Sequence, residues 1–355
     1  MSFAAQPISH LRRLGNIQAL RGLAVLAVVL AHLLSVESKY AGDRLLGNVF
    51  STGLSGVDLF FAISGFVMVY VAWKTAPGLR SAAAFAFARI GRIYPLYWIV
   101  SLVVLGLWLV RPQWVFASNP DVELVRSFLL WPAPHPPLLA VGWTLIHEMY
   151  FYLVFTLLVL LAPRWRLPAL LLWGALVLAG ALAGAGQGGP VLRLLFHPLS
   201  FEFLFGAFAA LALNRFDGRG WAMALWAGAL LFAGACLLSL HAGPQFWVNW
   251  PRAASFAPAS ALIVYGATGA EGAGKVFSKA LVWLGDQSYA LYLSHVLSIS
   301  ALGHLWALFA QPGPLDNIVM LPVLFAGALI GGEILHRFVE QPLLSLVRRW
   351  RRRLF

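Results

Sequence analysis

Runs of about twenty apolar residues, each long enough to cross a hydrocarbon core of roughly 30 Å, recur along this chain. Ten such spans can be read, near 17–37, 52–73, 93–110, 143–161, 168–184, 198–213, 221–240, 252–269, 285–309 and 318–338. Nothing else in the sequence constrains the fold as strongly. In lipid every backbone N–H and C=O must find a partner inside the protein, which leaves helices or closed barrels. Continuous apolar runs of this length, without period-two alternation, select helices. Only 11% of the 355 residues are charged and mean hydropathy is +0.80, whereas a soluble domain carries about 25% charged residues. The expectation is an all-α membrane protein of about ten transmembrane helices.

The net charge of +12 could suggest a nucleic-acid partner, but its distribution reads as topology. With both termini placed in the cytoplasm, 19 of the 25 basic residues fall on the inner side and 6 on the outer. The inner set includes Arg12, Arg13, Arg80, Arg89, Arg92, Arg166 and the five arginines of the tail; Arg44 and Arg252 fall outside. That asymmetry is the positive-inside pattern, and it sets nucleic acid aside in favour of the lipid bilayer. The single Cys236 lies within a span, so no disulfide framework or cysteine metal site is expected. The start of the chain mimics a signal peptide but lacks an A-x-A cleavage site, and nine further spans follow. It reads as a retained first helix.

One integral domain, 1–355, is expected, with a core at about 17–342 and a basic cytoplasmic tail at 343–355 whose "VRRWRRRLF" suits an anionic leaflet. Two connections are long: a basic inner stretch at 74–92 and an outer stretch at 111–142. The latter contains "WPAPHPP" (131–137), which cannot be regular helix because proline lacks the N–H and clashes with the preceding turn. A connection of that length is more often functional than idle.

Ionisable groups at membrane depth are costly, so each is a functional candidate. Counting along each span at about 1.5 Å per residue brings His32, Asp58 and Glu148 to one level in the outer half. A histidine beside a carboxylate is the minimal general-base arrangement, which makes these three the catalytic candidates. Arg21 lies eleven residues before His32, about 20° past three full turns, so the two share a helix face roughly 16 Å apart along the axis. A cation at one end and a base at the other suggest a passage. Arg89 and Arg92 are three apart at the expected start of a helix, where guanidinium forks and helix N-termini favour phosphate. Ser288, Tyr292 and His295 share a face of the ninth span, Glu202 lies in the outer half of the sixth, and Glu333 and His336 form an expected local pair. His197 and His135 read as solvated loop residues. No metal-ligand spacing or phosphate-cradling glycine loop appears.

In this setting the motifs fall into an order. Arg21-x10-His32 is followed by "GVDLFFAISGF" (56–66), Arg89-x-x-Arg92 with "IYPLYW", "WTLIHEMYFY" (143–152), "FEFLFG" (201–206), "LGDQSYALYLSH" (284–295) and "VEQP" (339–342). The chain thereby resembles the acyltransferase-3 family of bacterial integral-membrane O-acyltransferases, from about Ile17 to Pro342. Thr144 stands where the family usually has serine, and Gln341 where a basic residue is common. No appended SGNH-type hydrolase domain follows, which implies a stand-alone member.

The resemblance implies a multi-pass protein of the bacterial inner (cytoplasmic) membrane with acyl-CoA, most simply acetyl-CoA, as donor substrate and no permanently bound cofactor or metal. Arg21, Arg89 and Arg92 would hold the CoA phosphates. His32, oriented by Glu148, would act as general base or carry the acyl group itself. The acceptor would be a hydroxyl of a surface glycan or glycolipid, met by Trp143, Tyr152, Glu202 and His295. A separate periplasmic protein could complete the transfer. The alternative from another class is a multi-pass transporter with midplane charges binding solute or protons.

Overall fold

The computed structural model describes residues 14–40, 45–115, 121–243, 245–248, 250–310 and 314–355. Arg12, Arg13 and Arg44, counted above for topology, lie outside the described residues. The main helices are α1 (Gly15–Tyr40), α2 (Gly56–Ala72), α3 (Leu79–Val110), α4 (Gly142–Leu160), α5 (Pro163–Leu182), α6 (Ser200–Phe216), α7 (Trp221–Ala242), α8 (Trp250–Gly272), α9 (Ser288–Trp306), α10 (Pro314–Leu335) and α11 (Gln341–Leu354). Among the described residues nine helical stretches are long and apolar enough to cross a membrane, and the chain is a multi-pass membrane protein. The expected span at 285–309 falls on α9, 19 residues long, which is not among those nine. Its first half carries Ser288, Ser294 and His295 and is buried between other helices; the cost of that polarity falls on protein contacts, not on lipid.

Helix ends are tied to one another at the terminus of the bundle that holds Arg21. Glu271, at the end of α8, accepts the first backbone N–H groups of α1 from Gly15 (3.0 Å) and Asn16 (2.8 Å), satisfying donors that a helix cannot satisfy internally. Arg166, counted above among the inner-side basic residues, is buried. Its guanidinium donates to the carbonyls of Ala72 (3.1 Å), Trp73, Thr75 (2.8 Å) and Leu161 (3.1 Å), closing the C-terminal end of α2. Where α2 crosses α6, Gly65 and Gly206 let the backbones meet, and a Cβ at Gly65 would lie 1.9 Å from the Phe203 carbonyl oxygen. Small residues at such crossings replace the missing hydrophobic drive between helices in lipid.

Two expectations about connections change. The stretch 74–92 is mostly helix: α3 begins at Leu79 and runs 32 residues, about 48 Å, so Arg89 and Arg92 lie in its interior and not at a helix N-terminus. The segment 131–137 is non-helical as proline requires, but the connection around it turns back into the protein, with Leu130, Leu138, Leu139 and Val141 buried. The aromatic run "IYPLYW" makes this tolerable. Tyr97 donates to the carbonyl of Ser127 (2.7 Å), Trp98 to Phe128 (2.9 Å) and Tyr94 to Leu129 (2.7 Å), while Ser127 Oγ accepts from Leu138 N (3.0 Å). Irregular backbone can sit at depth only where protein groups satisfy it.

Candidate active site

That inward loop decides where α4 starts, and so where Glu148 lies. A residue count from Trp143 puts Glu148 level with His32. In the structure Gly142 packs against the ring of Tyr97 inside the bundle, so α4 starts deep and Glu148 is carried to the level of the arginines. Glu148 accepts from Ser64 Oγ (3.1 Å) and, through the same oxygen, from the hydroxyl of Tyr152. His32 is not among its partners, which corrects the expected His32–Glu148 pair.

Glu148 lines a cavity of about 280 Å³ together with Arg21, Arg89, Arg92, Thr144 and Tyr292. Among the described residues Arg21 reaches the amide oxygen of Gln18, at 3.5 Å, and no other acceptor. Arg89 rests its guanidinium against the rings of Phe85 (5.5 Å) and Tyr152 (5.9 Å), and its buried Nε has no hydrogen-bond partner among the described residues. Among the described residues none of the three makes an ion pair within 4.0 Å. Glu340, near Arg21, is held by His336 Nδ1 at 2.6 Å. Three guanidiniums therefore face one cavity with one carboxylate already serving two hydroxyls. Bringing like charges together in a low-dielectric interior is unfavourable, and a multiply charged anion reverses the sign. Arginine suits phosphate through its planar donor fork.

His32 lies beyond the wall that Tyr292 contributes to this cavity. Tyr292 bonds Thr144 Oγ1 (2.9 Å), and its ring centroid is 5.8 Å from that of His295, which is 4.8 Å from that of His32. The hydrogen bonds assign the tautomers. His295 Nδ1 sits 2.8 Å from the Tyr292 carbonyl and 3.1 Å from that of Leu291; His32 Nδ1 sits 2.8 Å from the Val28 carbonyl. Carbonyls only accept, so both Nδ1 atoms carry hydrogen in the neutral rings. His295 Nε2, 3.4 Å from His32 Nδ1, then offers a lone pair to a second, longer branch of that N–H. Among the described residues no hydrogen bond engages Nε2 of His32, which keeps its own lone pair. That is the atom of a base or nucleophile.

Asp58 has a different role from the one expected. It is fully buried and clasped by Arg252, with Nε to Oδ1 at 2.8 Å and Nη2 to Oδ2 at 3.0 Å. The guanidinium also lies 5.3 Å from the Trp247 ring centroid and 5.8 Å from that of Trp143. Bidentate pairing in the interior neutralises the carboxylate and takes its acceptor sites. Glu202 stands beside Asp58, fully buried, and among the described residues no N–H or hydroxyl donor reaches its oxygens. Trp143, Asp58 and Glu202 thus form a cluster separate from the arginine cavity. Sequence reading missed Arg252 because the bond joins residues 194 positions apart and its charge was counted toward topology. His197, expected to be solvated, packs edge-on against His147, with centroids 4.8 Å apart. Glu333 pairs with Arg337 (3.4 Å), not with His336. His135 is exposed.

A bundle of apolar helices around a cavity lined by three arginines, with two histidines packed beyond it, defines an integral-membrane protein. Comparison with known proteins narrows the class. The family model described as an acyltransferase domain matches residues 14–337, and the chain belongs to the acyltransferase-3 family. It is 30% identical to the exopolysaccharide production protein ExoZ of Rhizobium meliloti (strain 1021), over 84% of this chain and 92% of that protein. It is equally 30% identical to the acyltransferase MdmB of Streptomyces mycarofaciens, over 96% of this chain and 94% of that protein. Protein 2 in the picA locus of Rhizobium radiobacter is 29% identical over 46% of this chain. No solved structure matches the chain.

Proposed function

We propose that this protein is an O-acyltransferase of the bacterial inner membrane that moves an acyl group, most simply acetyl, from cytoplasmic acyl-CoA to a hydroxyl of a surface or exported glycan. The observation that carries the reading is the cavity with three guanidiniums, none of which has an ion-pair partner within 4.0 Å among the described residues. Phosphates are expensive to bring into a bilayer, whereas a thin, mostly neutral pantetheine arm can enter protein. Arg21, Arg89 and Arg92 hold the phosphates, and the arm passes Thr144 and Tyr292 toward His32. This arrangement requires the arginine end, both chain termini and the tail at 343–355 to face the cytoplasm, around an acyltransferase core of about 17–342.

At His32, Nε2 takes the proton of the acceptor hydroxyl as its oxygen attacks the thioester carbonyl carbon. The carbon–sulfur bond breaks and the thiolate recovers the proton from the imidazolium. General-base help of this kind contributes about 10²–10⁴-fold. A relay through acyl-His32 uses the same lone pair, and trapping an acyl-imidazole separates it from direct transfer. The relation to an exopolysaccharide production protein supports a glycan acceptor, and family membership favours this reading over a transporter. Inverted membrane vesicles supplied with labelled acetyl-CoA and an exopolysaccharide acceptor test it. His32→Ala should lower transfer by about 10²–10⁴-fold while CoA binding is retained; full transfer by that variant removes His32 from the mechanism.

A further inference from the structure

A second cavity, of about 170 Å³, adjoins the first at Arg89. Arg89 lines both, so the two form successive compartments divided by one guanidinium. The walls of the second are largely apolar, with Val71, Ala84, Phe85 and Val159 among them, and no Asp or Glu side chain lines it. Its remaining cations are Arg80 and Arg351, and Arg80 is already engaged, donating to the main-chain oxygen of Phe355 at 2.8 Å.

Arg351 reaches this place because of a glycine. The last helix, α11, packs along α3 at Gly91, where an added Cβ would come within 2.4 Å of Val347 Cγ1. Val347 and Arg351 are four residues apart, hence on the same face of α11. The contact that seats Val347 on α3 therefore turns Arg351 toward the cavity. Arg351 stands within Coulombic reach of Arg89, as Arg92 does of both Arg89 and Arg21. Four guanidiniums follow one another from the first cavity into the second, with an apolar chamber between the last two. One anion at a single point does not suit that layout. A ligand with phosphates on two arms of one sugar, and a flat aromatic base to lie against apolar walls, does.

We infer that the second cavity receives the 3′-phosphorylated nucleoside end of the acyl-CoA donor, with Arg351 on α11 and Arg89 as its phosphate contacts. This rests on the acyl-CoA reading given under Proposed function and extends it to a tail that otherwise reads as a membrane anchor. Recognition here concerns the nucleotide and not the acyl group, so it selects CoA thioesters over acyl donors without a 3′-phosphate.

The test compares acetyl-CoA with 3′-dephospho-acetyl-CoA on the full chain in nanodiscs of zwitterionic lipid, with and without anionic lipid. For the unaltered protein KM should be about 10- to 100-fold higher for the dephospho donor, the range expected for a lost charge-assisted contact. Arg351→Ala should raise KM for acetyl-CoA by a similar factor and erase the difference between donors. Arg351→Lys should restore part of it, and Arg348→Ala, on an exposed position, should leave it intact. Gly91→Ala, which displaces α11, should erase it too. Equal KM values for the two donors with the unaltered protein overturn the inference alone. So does discrimination that survives Arg351→Ala while activity falls only in anionic lipid, which assigns the arginine to lipid headgroups. No turnover with either donor overturns the acyl-CoA reading and this inference with it.

Discussion

Replacing Glu148 by glutamine alters one charge in the arginine cavity and little else. Both hydroxyls that bond Glu148, those of Ser64 and Tyr152, converge on the same oxygen, and an amide carbonyl can accept both. The cavity then faces an incoming pyrophosphate with three cations and no carboxylate. A unit charge about 6 Å from a phosphate, at an effective dielectric near 20, contributes about 3 kcal/mol of repulsion. Water and salt in an open cavity reduce this to roughly 1–1.5 kcal/mol. Glu148→Gln should therefore bind CoA about tenfold more tightly, as measured by equilibrium dialysis or calorimetry on protein in nanodiscs. The gain should shrink as salt rises. Charge removal in the other direction, Arg89→Met, should weaken binding about 10- to 100-fold. The reasoning is refuted if Glu148→Gln leaves CoA affinity unchanged or lowered and turnover falls as far as in His32→Ala. That outcome would mean Glu148 works on the histidine and not on the phosphates.

His295→Phe removes the longer branch from His32 Nδ1–H and leaves the bond to Val28, so transfer should fall about tenfold at unchanged CoA affinity, with the pH–rate profile displaced; a profile identical to that of the unaltered protein would limit His295 to packing. Asp58→Ala leaves Arg252 buried and unpaired and should lower stability by about 3–5 kcal/mol, followed as thermal unfolding in detergent. The double variant with Arg252→Met should recover most of that stability and also acyl transfer, as expected of a pair that only holds the fold; inactivity in a well-folded double variant would return Asp58 to the site. Arg166→Met should cost about 2–4 kcal/mol by stripping several carbonyls of their donor, read as a drop in Tm with CoA affinity nearly unchanged in protein that remains folded.

Residue type and spacing carried a long way in this chain. The separation of Arg89 from Arg92 lets both reach one cavity, which Arg21 also lines, while His32 is not among its lining residues. Depth was harder to read. Counting residues from an expected membrane surface assumes that each span starts at that surface. The assumption fails for α4, which begins inside the bundle after a loop whose carbonyls are held by Tyr94, Tyr97 and Trp98. It fails again for α3, whose first turns extend well before the expected span.

What the sequence alone determined is the class: apolar run length forces helices across lipid, charge asymmetry points to an orientation, and the ordered motifs announce the acyltransferase-3 family. These are local properties, fixed by the 3.6-residue period and by the cost of backbone polar groups in hydrocarbon. Only the tertiary structure decided the partnerships. Asp58 meets Arg252 across 194 positions and His32 meets His295 across 263, while Glu148 joins the arginines because a buried loop resets the height of its helix. Such pairings depend on where helices start, tilt and cross, and those are set by glycine contacts and loop hydrogen bonds between distant segments, which no local pattern encodes.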